Sequence, residues 1–275
     1  MTDVLEYLSY LFYDKELSYS SINTARSALS AFILCDNGTI GQHPLICRFV
    51  KGVYQLRTPI PRSRVTWDVE KLLKFLRNWK DNEFLNLKLL SWKLASLIAI
   101  VTAQRVQSLS LIKRTALKFD SDGCTIHFEE KLKQTRPNYH QNDIFLPMYE
   151  DTKICVVNCL KRYMKVTARL ADSNDNLFIS YCKPHNNASR DTIARWMKNC
   201  LHAAGIVNYT PHSFRSASTS AMKKAGVSIT EIMKTAGWSN CKTFFKYYYK
   251  PCDDEKAKKP TGHVIQSSML SFLKK

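Results

Sequence analysis

His212 and Arg215 stand three residues apart in the run Thr210-Pro211-His212-Ser213-Phe214-Arg215, a spacing that puts an imidazole and a guanidinium on one face of a helix. Thr210 is a good N-cap and Pro211 suits the first helical position, so both side chains are expected in the first turns. An imidazole, a guanidinium and a helix N-terminus pointing the same way make a phosphate site. Further along, Gly237-Trp238 is followed by Tyr247-Tyr248-Tyr249-Lys250-Pro251. Three adjacent tyrosines at a helix end can be aromatic core. A phenol can equally attack a phosphodiester where cations lower the cost of the developing charge. Upstream, Arg105 follows an apolar stretch at the edge of a packed element, where an unpaired guanidinium is costly. Lys131 and Lys133 lie in a polar, basic loop, residues 129–143, and read equally well as solvated charges.

These side chains need a frame. Val4, Leu5, Leu8, Leu11 and Phe12 recur at helical spacing, as do Ile22, Ala25, Leu29, Phe32 and Ile33, with Ser20 and Ser21 as candidate caps of the second helix. Pro59 and Pro61 then exclude helix, and Arg62 and Arg64 suit a tether lying along a phosphate backbone. Thr66 or Asp68 can cap a helix reaching Asn78 with Val69, Leu72, Leu73 and Leu76 on its apolar face, and a longer apolar helix covers about 84–103. The character changes at 117–147: Asp122-Gly123 signals a hairpin turn, while Thr125-Ile126-His127-Phe128 and Ile144-Phe145-Leu146 read as short strands. Helices return from 153, with Gly205, Gly226 and Gly237 as helix ends and Ser228-Ile229-Thr230-Glu231 as a capping box. The expected fold is mainly α with a small antiparallel β-sheet: a small helical domain over 1–57, a basic linker over 58–65 and a larger domain over 66–275.

The chain carries 41 Lys plus Arg against 23 Asp plus Glu, a formal charge of +18, and such an excess most often meets nucleic acid. At 45% hydrophobic residues it is an ordinary globular chain, which excludes wholesale disorder. Its nine cysteines form no CxxC pair, and no second pair follows Cys155 and Cys159 at zinc-site spacing, so neither a metal nor a cofactor is expected. They read mostly as reduced core residues of an intracellular protein. The opening residues lack a secretory pattern, and the longest apolar stretch is too short to span a bilayer, so no membrane partner is expected.

The order Arg105, a lysine in a hairpin loop, His212-x-x-Arg215, Gly237-Trp238 and a tyrosine about ten residues on is far more specific than any part. It resembles the tyrosine recombinase (phage integrase) family over essentially the whole chain. Residues 1–57 resemble that family's helical core-binding (SAM-like) domain, shortened at its start, and 66–275 its catalytic domain with a C-terminal tail. Leu17-Ser18-Tyr19-Ser20-Ser21-Ile22-Asn23, Lys133-Gln134-Thr135-Arg136-Pro137 and the Tyr-Tyr-Lys-Pro ending are similar to recombinases of DIRS/Ngaro-type retrotransposons and related eukaryotic mobile elements.

The resemblance implies roles. Arg105 and Arg215 would clamp the scissile phosphate, His212 would assist proton transfer, and Trp238 would donate its indole N–H or pack the nucleophile's helix. Lys133, with Lys131 as the alternative, would protonate the leaving 5′ oxygen. The nucleophile is expected at Tyr248 by alignment on the terminal Lys-Pro, whereas the family's commonest spacing, nine residues after Trp238, gives Tyr247. Many members carry an acid three residues after the first arginine, and here that position is Ser108. The implied activity is site-specific recombination or integration of double-stranded DNA through a 3′-phosphotyrosyl intermediate, in the nucleus or elsewhere inside the cell. The alternatives are a type IB topoisomerase-like nicking-closing enzyme and a domesticated DNA-binding protein without catalysis. A monomer when free and a homotetramer on two duplexes are expected. The apolar patch Met269, Leu270, Phe272 and Leu273 of the tail would dock on a neighbouring protomer.

Overall fold

The computed structural model describes residues 1–35, 38–59, 65–128, 143–171 and 175–252. Lys131, Lys133, most of the 58–65 segment and the apolar tail lie outside the described residues. The chain divides into two compact units, Met1–Ser63 and Arg64–Lys275.

In the first unit, α1 (Thr2–Tyr13), α2 (Tyr19–Phe32) and α3 (Pro44–Leu56) surround a core of Val4, Leu8, Leu11, Phe12, Ile22, Ile40, Ile46, Val50 and Val53. A two-residue ladder, β1 (Leu34–Cys35) with β2 (Gly38–Thr39), joins α2 to the chain leading into α3. The cap of α2 is Ser18, whose hydroxyl accepts from the Ser21 N–H at 3.3 Å; Ser20 and Ser21 sit in the first turn instead. Of the apolar series expected to face the core from α2, only Ile22 is fully buried, and Phe32 is 88% exposed. The helix ends there and Ile33 turns into β1, so side chains beyond Leu29 leave the packed face. Arg57 closes the unit: Nη1 donates to the Leu17 carbonyl at 2.6 Å, and its guanidinium lies 4.4 Å from the centre of the Phe12 ring.

The second unit is built around α5 (Leu87–Thr102), capped by Asn86 and buried on nearly every side, as a helix apolar all round must be. Against it pack α7 (Val156–Thr167), α8 (Arg190–Ala203) and α9 (Ser213–Lys224). The helix α4 (Val69–Arg77) begins at Asp68, whose carboxylate accepts from the Glu70 N–H, and buries Val69, Leu72 and Leu76. Strands β3 (Leu117–Phe119), β4 (Gly123–Ile126) and β5 (Ile144–Pro147) form the small antiparallel sheet, with Ile126 opposite both Leu117 and Ile144. The architecture is thus mostly helical with one three-stranded sheet, as the sequence leads one to expect.

Three details depart from expectation. The β3–β4 turn is made by Asp120, whose carboxylate accepts from the N–H groups of Asp122 and Gly123. Gly123 is needed for close approach, because a Cβ there would lie 2.1 Å from the Leu146 carbonyl oxygen. The cysteines are core residues only at Cys124, Cys155, Cys159 and Cys200, while Cys47, Cys182 and Cys241 are exposed. Finally, α5 buries Lys93 completely, with its Nζ bonded to no acceptor among the described residues. Burial lowers its pKa and raises those of the neighbouring thiols, Cys159 to about 12 and Cys200 to about 11. No helix of the described residues is long and apolar enough to cross a membrane.

Candidate active site

The α-helical part of α9 starts at Ser213, two residues later than the sequence implies. Pro211 and His212 form a tighter turn, in which the N–H groups of Ser213, Phe214 and Arg215 bond to the carbonyls of Thr210, Pro211 and His212. Thr210 therefore serves through its carbonyl and not as a hydroxyl cap. The Ser213 hydroxyl also donates to that carbonyl at 2.7 Å and accepts from the Trp67 indole at 2.8 Å, which ties the entrance of α9 to the segment before α4. His212 thus sits at the N-cap position, beside the open end of the helix.

Arg215, one turn in, is only 1% exposed. Its Nη1 donates to the Ala103 carbonyl at 2.6 Å and its Nη2 to the Ala236 carbonyl at 3.0 Å. These carbonyls close two different helices. Ala103 ends α5 in the left-handed conformation (φ 50°), and Ala236 is the last residue of α10 (Ile229–Ala236). The helix α10 opens with the expected Ser228–Glu231 capping box and stops at Gly237, whose φ of 67° suits glycine. One guanidinium therefore holds together the ends of the two helices that lead to Arg105 and to Trp238. Gln104 adds a second tie through Nε2 to the Thr235 carbonyl at 2.8 Å.

Arg105 occupies the N-cap position of α6 (Val106–Ser110), close enough for its charge to act on Arg215. The Arg215 pKa falls to about 10, first through burial and then through repulsion by Arg105, with Tyr248 opposing the shift. The side chain stays charged at neutral pH. Two neighbouring cations in a partly dry site form a pair that an anion would relieve. Ser108, where many relatives of the pattern carry an acid, is buried in α6. The Arg215 Nε and the Trp238 Nε1 are buried donors without acceptors among the described residues.

Trp238 lies across the site, its ring 4.4 Å from that of Tyr248 and 4.8 Å from the Arg215 guanidinium. Tyr248 ends a single π turn, Phe244–Tyr248, that follows the short helix α11 (Cys241–Thr243). Its phenol oxygen is 3.4 Å from His212 Nε2, the outer limit of a hydrogen bond, and its ring centre is 5.5 Å from the Arg215 guanidinium. Tyr247 is 56% exposed, with Lys246 over its ring at 5.2 Å, and Tyr249 packs instead on Phe244 and Phe245. The structure brings together Arg105, His212, Arg215, Trp238 and Tyr248, and leaves Tyr247 out. Lys131 and Lys133 lie outside the described residues.

Sequence reasoning missed three supports of this site: Gln104, Ser220 and Thr66. The Ser220 hydroxyl donates to the Tyr248 carbonyl at 3.1 Å and accepts from the Lys250 N–H at 3.0 Å. The Thr66 N–H donates to the Pro251 carbonyl at 2.9 Å, and Thr66 bridges to Cys252. The available signal was the run Ser216, Ser218, Thr219 and Ser220, four hydroxyls buried on one helix.

The fold is that of the tyrosine recombinase catalytic domain. The pattern of the phage integrase family matches residues 66–255, and the chain belongs to that family. Among solved structures it is similar to XerH site-specific recombinase bound to palindromic difH substrate in a post-cleavage complex, at TM-score 0.62 and 14% identity over 90% of this chain and 67% of that one. The Tn1549 transposon integrase with transposon right end DNA matches at TM-score 0.59 and 16% identity, over 93% and 82% of the two chains. A lambda integrase tetramer bound to a Holliday junction matches at TM-score 0.52 and 17% identity, over 87% and 64%. A comparison with curated protein sequences gives no match.

Proposed function

We propose that the chain is a site-specific DNA recombinase that cuts and rejoins duplex DNA, with Tyr248 as the nucleophile. The observation that carries this reading is the convergence of His212, Arg215 and Trp238 on Tyr248, with the Arg105 charge beside Arg215. The phenol oxygen attacks phosphorus, the bond from phosphorus to the 5′ oxygen breaks, and a 3′-phosphotyrosyl bond forms. His212, whose Nε2 lies 3.4 Å from the phenol oxygen, would take up the phenolic proton. The guanidiniums face the charge that grows on the non-bridging oxygens, and the buried Arg215 Nε–H and Trp238 Nε1–H have donors to spare for them. Lys133, or Lys131, is the proposed acid for the leaving oxygen. One phosphate ester replaces another, so the backbone bond energy is kept for rejoining by a 5′-hydroxyl.

The helical unit at residues 1–57 and the basic 58–65 segment would grip the duplex alongside the catalytic unit. The likeness to a transposon integrase, together with the Lys133–Pro137 run and the Tyr-Tyr-Lys-Pro ending, supports integration of a mobile element of the DIRS/Ngaro kind, acting in the nucleus. The likeness to a tetramer on a Holliday junction supports a monomer that assembles into a tetramer on two duplexes, with residues 263–275 docking between protomers. The test is a randomised duplex library in which each duplex carries a nick that blocks rejoining. Protein–DNA adducts that survive denaturant are expected with the wild-type chain and absent with Tyr248→Phe. No adduct from the wild type would refute the reading.

A further inference from the structure

The last carbonyls of α10 have no donors from the helix itself and are served in different ways. The N–H groups of Gly237 and Trp238 reach Met233 and Lys234, Arg215 Nη2 reaches Ala236 at 3.0 Å, and Gln104 Nε2 reaches Thr235 at 2.8 Å. The end of α5 thus meets the end of α10 through two neighbouring rungs. Ala103 is joined to Ala236 by way of the Arg215 guanidinium, and Gln104 to Thr235 by its own amide. The second rung does not pass through a cation that the reaction needs.

Gln104 is 3% exposed, and its Oε1 is buried with no donor among the described residues. Burying an amide with half of its capacity unused costs more than one neutral hydrogen bond returns, so a tie alone does not account for it. Its place suggests what else it does. Gln104 precedes Arg105 in the three-residue connection between α5 and α6. The charge of Arg105 repels that of Arg215, which pushes this connection away from the site unless something holds it. The amide holds it from α10. It also occupies the Thr235 carbonyl, the neighbour of the one that Arg215 already bonds. Left open, that carbonyl would recruit a guanidinium and compete with a phosphate oxygen for it.

We infer that Gln104 is a positioning residue, which fixes Arg105 beside Arg215 and keeps both guanidiniums available to the scissile phosphate. The inference rests on the cleavage by Tyr248 proposed above. The cleaved sequence recovered from the nicked library is made in two forms, with an ordinary phosphate or an uncharged methylphosphonate at the scissile position. Gln104→Leu keeps an apolar volume in place and loses the donor; Gln104→Met is the second variant should the first not fold. On the phosphate, either is expected to form adducts roughly 10- to 100-fold more slowly than the wild type, with duplex affinity unchanged. On the methylphosphonate a methyl group replaces a charged oxygen, so the guanidiniums have less charge to neutralise. There the gap should close to about threefold or less. A variant that is only loosely packed would be slow on both.

Equal slowing on the two substrates, a wild-type rate on the phosphate, or a methylphosphonate that the wild type cannot cleave would each overturn the inference while leaving the nucleophile in place. A wild type that forms no adduct with any member of the library overturns the functional reading itself, and the inference with it.

Discussion

Arg215 serves as a structural tie and, on the proposed reading, as a phosphate ligand, and the two duties can be separated by experiment. Its two terminal nitrogens hold the ends of α5 and α10, a planar fork that the single ammonium of lysine cannot reproduce. Arg215→Lys should lower stability by about 1–3 kcal/mol through a carbonyl left without its donor, seen as a drop in the denaturation midpoint. The same change should abolish adduct formation while nonspecific duplex affinity, spread over many cations, falls only modestly. A mutant that cleaves normally would show that Arg215 is a tie alone. Tyr247→Phe should leave adduct formation within about twofold, since its ring stands outside the site, whereas Tyr248→Phe should eliminate it. The sequence already showed these residues because their chemistry lies in their types: a guanidinium, an imidazole and a phenol are conspicuous anywhere. Ser220 was not legible, since a serine hydroxyl gains meaning only from a carbonyl 28 residues away.

At the scale of elements, periodicity was enough for α1, α4, α5 and the strands β4 and β5, because burial of a regular face leaves its mark directly in the residue pattern, whereas the short, mostly exposed β3 was not read as a strand. It failed where tertiary contacts choose between helical closures: the i→i+3 turn at Pro211-His212 and the i→i+5 turn at Phe244–Tyr248 use residues that would suit an ordinary α-helix. Lys93 is a third failure, a cation inside the most apolar helix. It faces Cys159 on α7 and Cys200 on α8, with the charges of Lys153, Asp81 and Asp151 partly cancelling. Its pKa is lower in the folded chain than in the unfolded one, so the unfolded state binds more protons between the folded pKa and about 10.5. Stability from this group is full above that window and is lost as pH falls through it. Lys93→Met should therefore raise stability at pH 7 by roughly 1–3 kcal/mol. It should also flatten the alkaline part of the stability profile, both read from urea melts across pH. A destabilised variant with an unchanged profile would mean that Lys93 has a buried partner worth more than its desolvation.

For the whole molecule, the informative quantity is where the charge lies. Residues 1–63 hold six Lys plus Arg against five Asp plus Glu, so all but one of the +18 resides in 64–275. A duplex contact made by neutralising phosphates releases counterions, and each contact adds about −0.9 to the slope of log affinity against log salt. The first unit, nearly neutral, cannot contribute many such contacts, whereas the unit that holds Arg105, Arg215 and Tyr248 can. If both units grip DNA as proposed, the helical unit must do so largely through shape and groove contacts, whose strength depends little on salt. Each unit has its own apolar core, so residues 64–275 can be studied without the first. Filter-binding titrations on random duplex over a range of salt should give nearly the same slope for 64–275 as for the full chain, within one to two phosphate contacts. The absolute affinity should be lower at every salt. A slope that collapses on removing 1–63 would place the phosphate contacts in the near-neutral unit, and would make the charge of the larger one a matter of solubility.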